Sequence, residues 1–173
     1  MHSDHSDYLY TLALMAMTFV GFTAIVMILR QSLGGALSRF DALVTRFFMV
    51  WGFLIAYGAM LPPLLAAFDM APVPIWRGCS AVVGVMLLVL AVGYPLLRRE
   101  ATGENLPVFT IGQSAVGVAI GVILLVNAAA SFSARNTAAI YLAVLTFTLA
   151  QASAGFIITL TTILAQKGPA KHR

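Results

Sequence analysis

The chain has 173 residues, of which 61% are hydrophobic and only 9% charged, and its mean hydropathy is +0.96. That balance lies outside the range of soluble globular domains and excludes a water-exposed fold as the setting for the chain. The net charge of +4 would point towards nucleic acid in a soluble protein, but here the basic residues sort by position along the chain, which makes them topological signals rather than a binding surface.

Five stretches contain no Asp, Glu, Lys or Arg: 8–29, 47–68, 78–97, 105–134 and 136–166. Each reaches the roughly 20 residues needed to cross a bilayer. Within lipid every backbone polar group must be paired inside its own segment, so these stretches are expected to be helices. The prediction is an all-α polytopic integral membrane protein, a bundle of five transmembrane helices. The spans lie at about 8–29, 42–67, 76–97, 108–130 and 138–165, within a single transmembrane domain over residues 1–173. With five spans, Arg30, Arg39, Arg46, Arg98, Arg99, Lys167, Lys171 and Arg173 share one side, against Arg77 and Arg135 on the other. The positive-inside rule then places the N-terminus outside and the C-terminus in the cytoplasm. The expected location is the cell membrane, meaning the inner membrane if the source is bacterial.

Residues 1–7 read as a polar tail outside the membrane. His2 and His5, with Asp4 and Asp7, have the residue types of a metal cluster. Two imidazoles on a frayed terminus rarely close a site, and the solvated tail is the preferred reading. The tail has no Lys or Arg and the first apolar run is too long for an h-region, so this run is expected to stay as a span and not be removed as a signal peptide. Tyr8 and Tyr10 sit where an interfacial aromatic belt belongs. Gly21 and Ala24 offer a small patch for a neighbouring backbone.

Gly34-Gly35 breaks the chain before Ser38-Arg39-Phe40-Asp41, which resembles an N-cap with an acidic residue in the first turn. Arg46 then falls about one turn inside the second span. A charge at depth is costly, so it must pair or snorkel to the surface, and Asp41, Glu100 and Glu104 are the nearby carboxylates. The sharper alternative is that Arg46 contacts an anionic ligand or a lipid headgroup.

Pro62-Pro63 cannot donate to the carbonyls of Gly58 and Ala59, which predicts a kink or an early end to the second helix. A discontinuous helix whose freed carbonyls line a cavity would need a second broken helix as its counterpart. Pro72 and Pro74 stiffen the next loop, and Trp76 with Arg77 marks the outer interface of the third span. Ser80 and Gly84 have small-xxx-small spacing. Cys79 is the only cysteine, which rules out an internal disulfide; a packing role near the outer end of that span is preferred over a thiol available for intermolecular pairing. Tyr94 marks the inner end and Arg98-Arg99 anchor it. Glu100 and Glu104 are paired by spacing alone, and a solvated loop suits them better than an acid–base site.

The fourth span carries the GxxxG sequence from Gly117 to Gly121, and Gln113, Gly117, Gly121 and Asn127 share one face as candidate helix-packing residues. In the last span Thr137, Tyr141, Thr148, Gln151, Gly155, Thr159, Thr162 and Gln166 fall within roughly one quadrant at about 100° per residue. Thr148, Gln151, Thr159 and Thr162 are its candidate functional positions. The fourth and fifth helices are expected to pack antiparallel, with amide and hydroxyl bonds across them worth on the order of 1 kcal/mol each. Threonine hydroxyls can equally bond the carbonyl one turn back in their own helix.

The stripe reads first as interhelical glue and second as the polar wall of a pore or substrate cavity. Ion or proton pathways usually need ionisable groups at depth, and the spans contain no Asp, Glu, Lys or His there. The lack of histidine also argues against haem, and the chain has no HExxH, GxSxG, P-loop or dinucleotide fingerprint. No catalytic residue, metal site or cofactor is assigned. The leading functional expectation is an accessory or assembly component in the lipid bilayer, packed with itself as a homo-oligomer or with another membrane protein, and without a nucleic-acid partner. The alternative is a small transporter or channel for a neutral or weakly polar solute. A membrane enzyme or lipid-modifying protein comes third, with Arg46 as its anion contact.

Overall fold

The computed structural model describes residues 3–32, 39–103, 106–130 and 132–165. They form five helices: α1 (Ser3–Ser32), α2 (Arg39–Ala66), α3 (Pro72–Thr102), α4 (Val108–Ala129) and α5 (Ala134–Ala165). All five are long and apolar enough to cross a membrane. Even α4, with 22 residues, spans about 33 Å at 1.5 Å per residue, which matches a hydrocarbon core of about 30 Å.

Contacts between the helices fix their directions. Near the start of α3, Arg77 donates to the Ala130 carbonyl just past α4, while near the end of α3 Arg98 donates to Thr110 at the start of α4. These two helices are therefore antiparallel. Likewise Phe47 of α2 stacks on Tyr94 of α3, with ring centroids 3.8 Å apart. Helices α1 and α5 run the same way, joined by Tyr8 and Thr146 at one level and by Phe19 and Phe156 further along. One end of the bundle thus carries Tyr8, Trp76 and Asn127, and the opposite end carries Arg46 and Arg98.

Helix ends follow local chemistry. Pro72 opens α3, where its missing N–H costs nothing, and Gly103 closes it in the left-handed region at φ 66°. The Gly103 N–H returns to the Arg99 carbonyl at 2.9 Å. Asp69, at φ 55°, turns the chain between α2 and α3. Of the helices that outrun their expected spans, α1 and α3 do so by the most. α1 begins at Ser3, so most of the polar tail is its first turns. α3 continues to Thr102, where Arg99 in the last turn complements the negative end of the dipole.

At Pro62-Pro63 α2 runs on for one more turn and ends at Ala66, within the expected 42–67 span. The Gly58 carbonyl, which Pro62 cannot serve, accepts a 2.7 Å hydrogen bond from the buried Tyr141 hydroxyl of α5. Gly58 lies close against its neighbours there: a Cβ on it would sit 3.2 Å from Val83 Cγ2, a tight fit, and 3.5 Å from that hydroxyl, an ordinary contact. A second internal proline, Pro95, lies within α3, which also runs on as helix.

The core gathers Trp51, Ile55, Leu87, Leu124, Tyr141 and Leu145 from four helices. Towards the Arg46 end, Phe156 of α5 meets Phe19, Phe22 and Phe48 edge-on at 5.4–6.0 Å, tying α1, α2 and α5 together. The outside is equally apolar: Leu14 is 69% exposed and Val108 87%. Large apolar side chains face outward on every helix, a surface suited to lipid and not to water. The five helices have the length and apolar character of a multi-pass membrane protein.

Candidate functional site

The GxxxG of α4 packs against α3. A Cβ on Gly121 would lie 2.7 Å from Leu88 Cγ and 3.1 Å from the Gly84 carbonyl oxygen, and one on Gly84 would lie 3.1 Å from the Gly121 oxygen. One turn earlier, a Cβ on Gly117 would meet the Ala91 Cβ at 2.9 Å, beside the Trp51 ring. At these glycines the backbones of α3 and α4 come close together. The sequence places α4 against α5, but the glycine face of α4 meets α3. What α4 does share with α5 is polar.

Asn127 is buried where three helices meet. Its Nδ2 donates to Ser80 Oγ of α3 at 3.1 Å and to the Thr137 carbonyl of α5 at 3.1 Å. Its Oδ1 has no protein partner. Just beyond, Arg77 reaches the Ala130 carbonyl at 2.6 Å, while its buried Nε is unpartnered. Tyr141, one turn along α5 from Thr137, lies against the Trp76 ring at 5.8 Å and donates to Gly58.

Further along α5, Gln151 Nε2 donates to the Gln113 carbonyl of α4 at 3.2 Å. Gly155 leaves the space that the Gln113 side chain fills, since a Cβ there would fall 2.5 Å from Gln113 Nε2. Thr148 and Thr159 turn their hydroxyls to their own helix, bonding the Val144 carbonyl at 2.7 Å and the Gly155 carbonyl at 2.8 Å. The side chains of Thr162 and Gln166 lie outside the described residues. Two buried groups near this level have no protein partner, the Trp51 Nε1–H donor and the Gln151 Oε1 acceptor. The flanking contacts Tyr141–Gly58 and Phe156–Phe48 set the antiparallel register of α2 and α5, and that register brings Trp51 and Gln151 to the same depth.

Sequence reasoning missed Thr146, which lies off the stripe and pairs with the Tyr8 hydroxyl at 2.6 Å across to α1. Only the pairing of α1 with α5 reveals that contact. Arg46 is exposed near the start of α2, beside the Phe47–Tyr94 stack. The Asp41 side chain and Glu104 lie outside the described residues, and among the described residues no carboxylate pairs with Arg46. From Arg46 the exposed side chains Val50, Phe53 and Tyr57 continue along the same face of α2. With Val82, Val85 and Met86 of α3, these three help to line a half-open apolar groove of about 420 Å³. A smaller groove of about 280 Å³ lies between α1 and α5, with Tyr8, Thr11, Thr146 and Ser153 among its walls.

Of the histidine pair near the N-terminus, only His5 has a described side chain, and its ring lies 6.2 Å from Trp76. Cys79 is fully buried. Among the described residues no three His, Cys, Asp or Glu groups converge as metal ligands. The buried polar side chains there are hydroxyls and an amide. Such groups hold helices in register and can accept or donate hydrogen bonds to a neutral guest. No family model, no curated protein and no solved structure matches the chain.

Proposed function

We propose that the protein is a non-enzymatic component of the cell membrane, an accessory or assembly subunit that packs with itself or with another membrane protein. The observation that carries this reading is the use to which the deep polar groups are put. Asn127, Gln151 and Tyr141 each join one helix to another, and Thr148 and Thr159 bond within α5. These bonds build a firm bundle with large apolar side chains facing outward on every helix. We place the N-terminus outside and the C-terminus in the cytoplasm, because Arg46, Arg98 and Arg99 gather at one end and Arg77 and Arg135 at the other. Cross-linking in intact membranes, followed by light scattering in mild detergent, tests the assembly. An oligomer or a stoichiometric complex is expected. A monodisperse monomer with no cross-linked species overturns it.

The second reading is a small transporter or channel for a neutral or weakly polar solute. It is favoured by Trp51 Nε1 and Gln151 Oε1, an unpartnered donor and acceptor at one depth. Solute flux in proteoliposomes that falls in Gln151→Leu, with helicity unchanged, would establish it. Absence of flux from the unchanged protein across a panel of neutral solutes would remove it.

A further inference from the structure

We propose that the groove between α2 and α3 holds an acyl chain of an anionic glycerophospholipid whose phosphate rests on Arg46. The groove is concave, about 420 Å³, and walled by Val50, Phe53 and Tyr57 on one side and Val82, Val85 and Met86 on the other. Arg46, Val50, Phe53 and Tyr57 are spaced four, three and four residues apart, so at 100° per residue they form one exposed stripe. The cation therefore sits directly in line with the groove, at its end. From Val50 to Leu61 the groove follows α2 for roughly 16 Å at 1.5 Å per residue. That is about half of a 30 Å hydrocarbon core, and the turn between Arg46 and Val50 adds about 6 Å. A chain entering from Arg46 passes Val50 first and then the Phe53 and Tyr57 rings, which lie near parallel with an interplanar angle of 26°. Met86 opposite supplies a flexible wall that adapts to a bent chain.

Charge selects this occupant over others. A guanidinium binds a phosphate through charge-assisted bonds, and among the described residues no carboxylate competes for Arg46. A transmembrane helix of a partner laid along the same stripe would bring its own apolar side chains against Arg46. A second copy meeting this face about a two-fold axis along the membrane normal would bring Arg46 towards Arg46. A lipid fits both parts of the site, chain to groove and headgroup to cation. The inference rests on the reading of the chain as a membrane protein. The orientation proposed above would place the site in the cytoplasmic leaflet, where anionic lipids concentrate.

The test is native mass spectrometry of the full chain released from nanodiscs. The probes are phosphatidylglycerol and phosphatidylcholine with identical acyl chains. The unchanged protein is expected to retain phosphatidylglycerol about tenfold better, because both lipids offer a phosphate to Arg46 but the choline cation of phosphatidylcholine offsets the attraction. Arg46→Gln should erase that preference and Arg46→Lys should keep part of it. Val85→Trp, which fills the groove, should lower retention of both lipids, and Arg135→Gln at the opposite end should change nothing. Equal retention of the two lipids by the unchanged protein overturns the proposal, as does a preference that survives Arg46→Gln. It also fails if the chain-free glycerophosphoglycerol headgroup displaces phosphatidylglycerol at equal concentration, since the groove then contributes nothing. Loss of a dimer in Val85→Trp with lipid retention unchanged would assign the groove to a second copy instead. Should Arg46→Gln not purify as a folded protein, the lipid ratio of the unchanged chain and the Arg46→Lys result decide. The measurement needs no partner protein, so a monomeric chain would overturn the assembly reading while leaving a positive lipid result intact.

Discussion

At the residue scale the most informative contact is Tyr141 to the Gly58 carbonyl. A buried carbonyl without a donor costs roughly 1–3 kcal/mol, and Pro62 creates one here. Tyr141→Phe is therefore expected to lower stability by about that amount, read from reversible unfolding in detergent. Pro62→Ala returns an N–H to the Gly58 carbonyl, so in that background Tyr141→Phe should cost measurably less. Equal costs in both backgrounds would show that the hydroxyl does not serve the freed carbonyl. Cys79 supplies an independent readout, because it is fully buried and should react with a maleimide only as the bundle opens. The lost donor at Pro62 is legible in the sequence. Its remedy is not, since Tyr141 lies 83 residues from Gly58 and no local pattern links the two.

Elements show the same division. The GxxxG of α4 announces that some backbone comes close, and small residues are what such an approach needs. The identity of the partner depends on α3 presenting Gly84 and Ala91 at the matching depth. Gly121→Ile is expected to destabilise the bundle by several kcal/mol, because its side chain must displace Leu88 and the backbone of Gly84. Gly112→Ala on the same helix has no atom within 4 Å of the new methyl and should leave stability unchanged or slightly raised. Comparable losses from both variants would mean that the α3–α4 seam is not where α4 is held. Asn127→Leu tests the polar junction beside it. It removes the donations to Ser80 and Thr137 and should cost about 1 kcal/mol, modest because lipid-embedded hydrogen bonds are individually weak.

For the whole molecule, the arginine distribution predicts that reporters fused to the two termini will appear in opposite compartments. Both reporters on one side would refute five crossings. Five helices follow from the sequence because the condition for each is local. A run of about 20 uncharged, mostly apolar residues must pair its own backbone when water is absent, and nothing elsewhere in the chain alters that. The same apolarity hides the arrangement of the helices. Lipid tails are as apolar as leucine, so Leu14, which faces outward, and Leu12, which is buried, look alike in the sequence. Which faces meet was decided by shape and by a few polar bonds between distant residues: Gly84 on Gly121, Asn127 among three helices, and Tyr141 on Gly58. Length and hydropathy of each segment thus determined how many helices form, whereas packing geometry, which exists only once they are side by side, decided which of them touch.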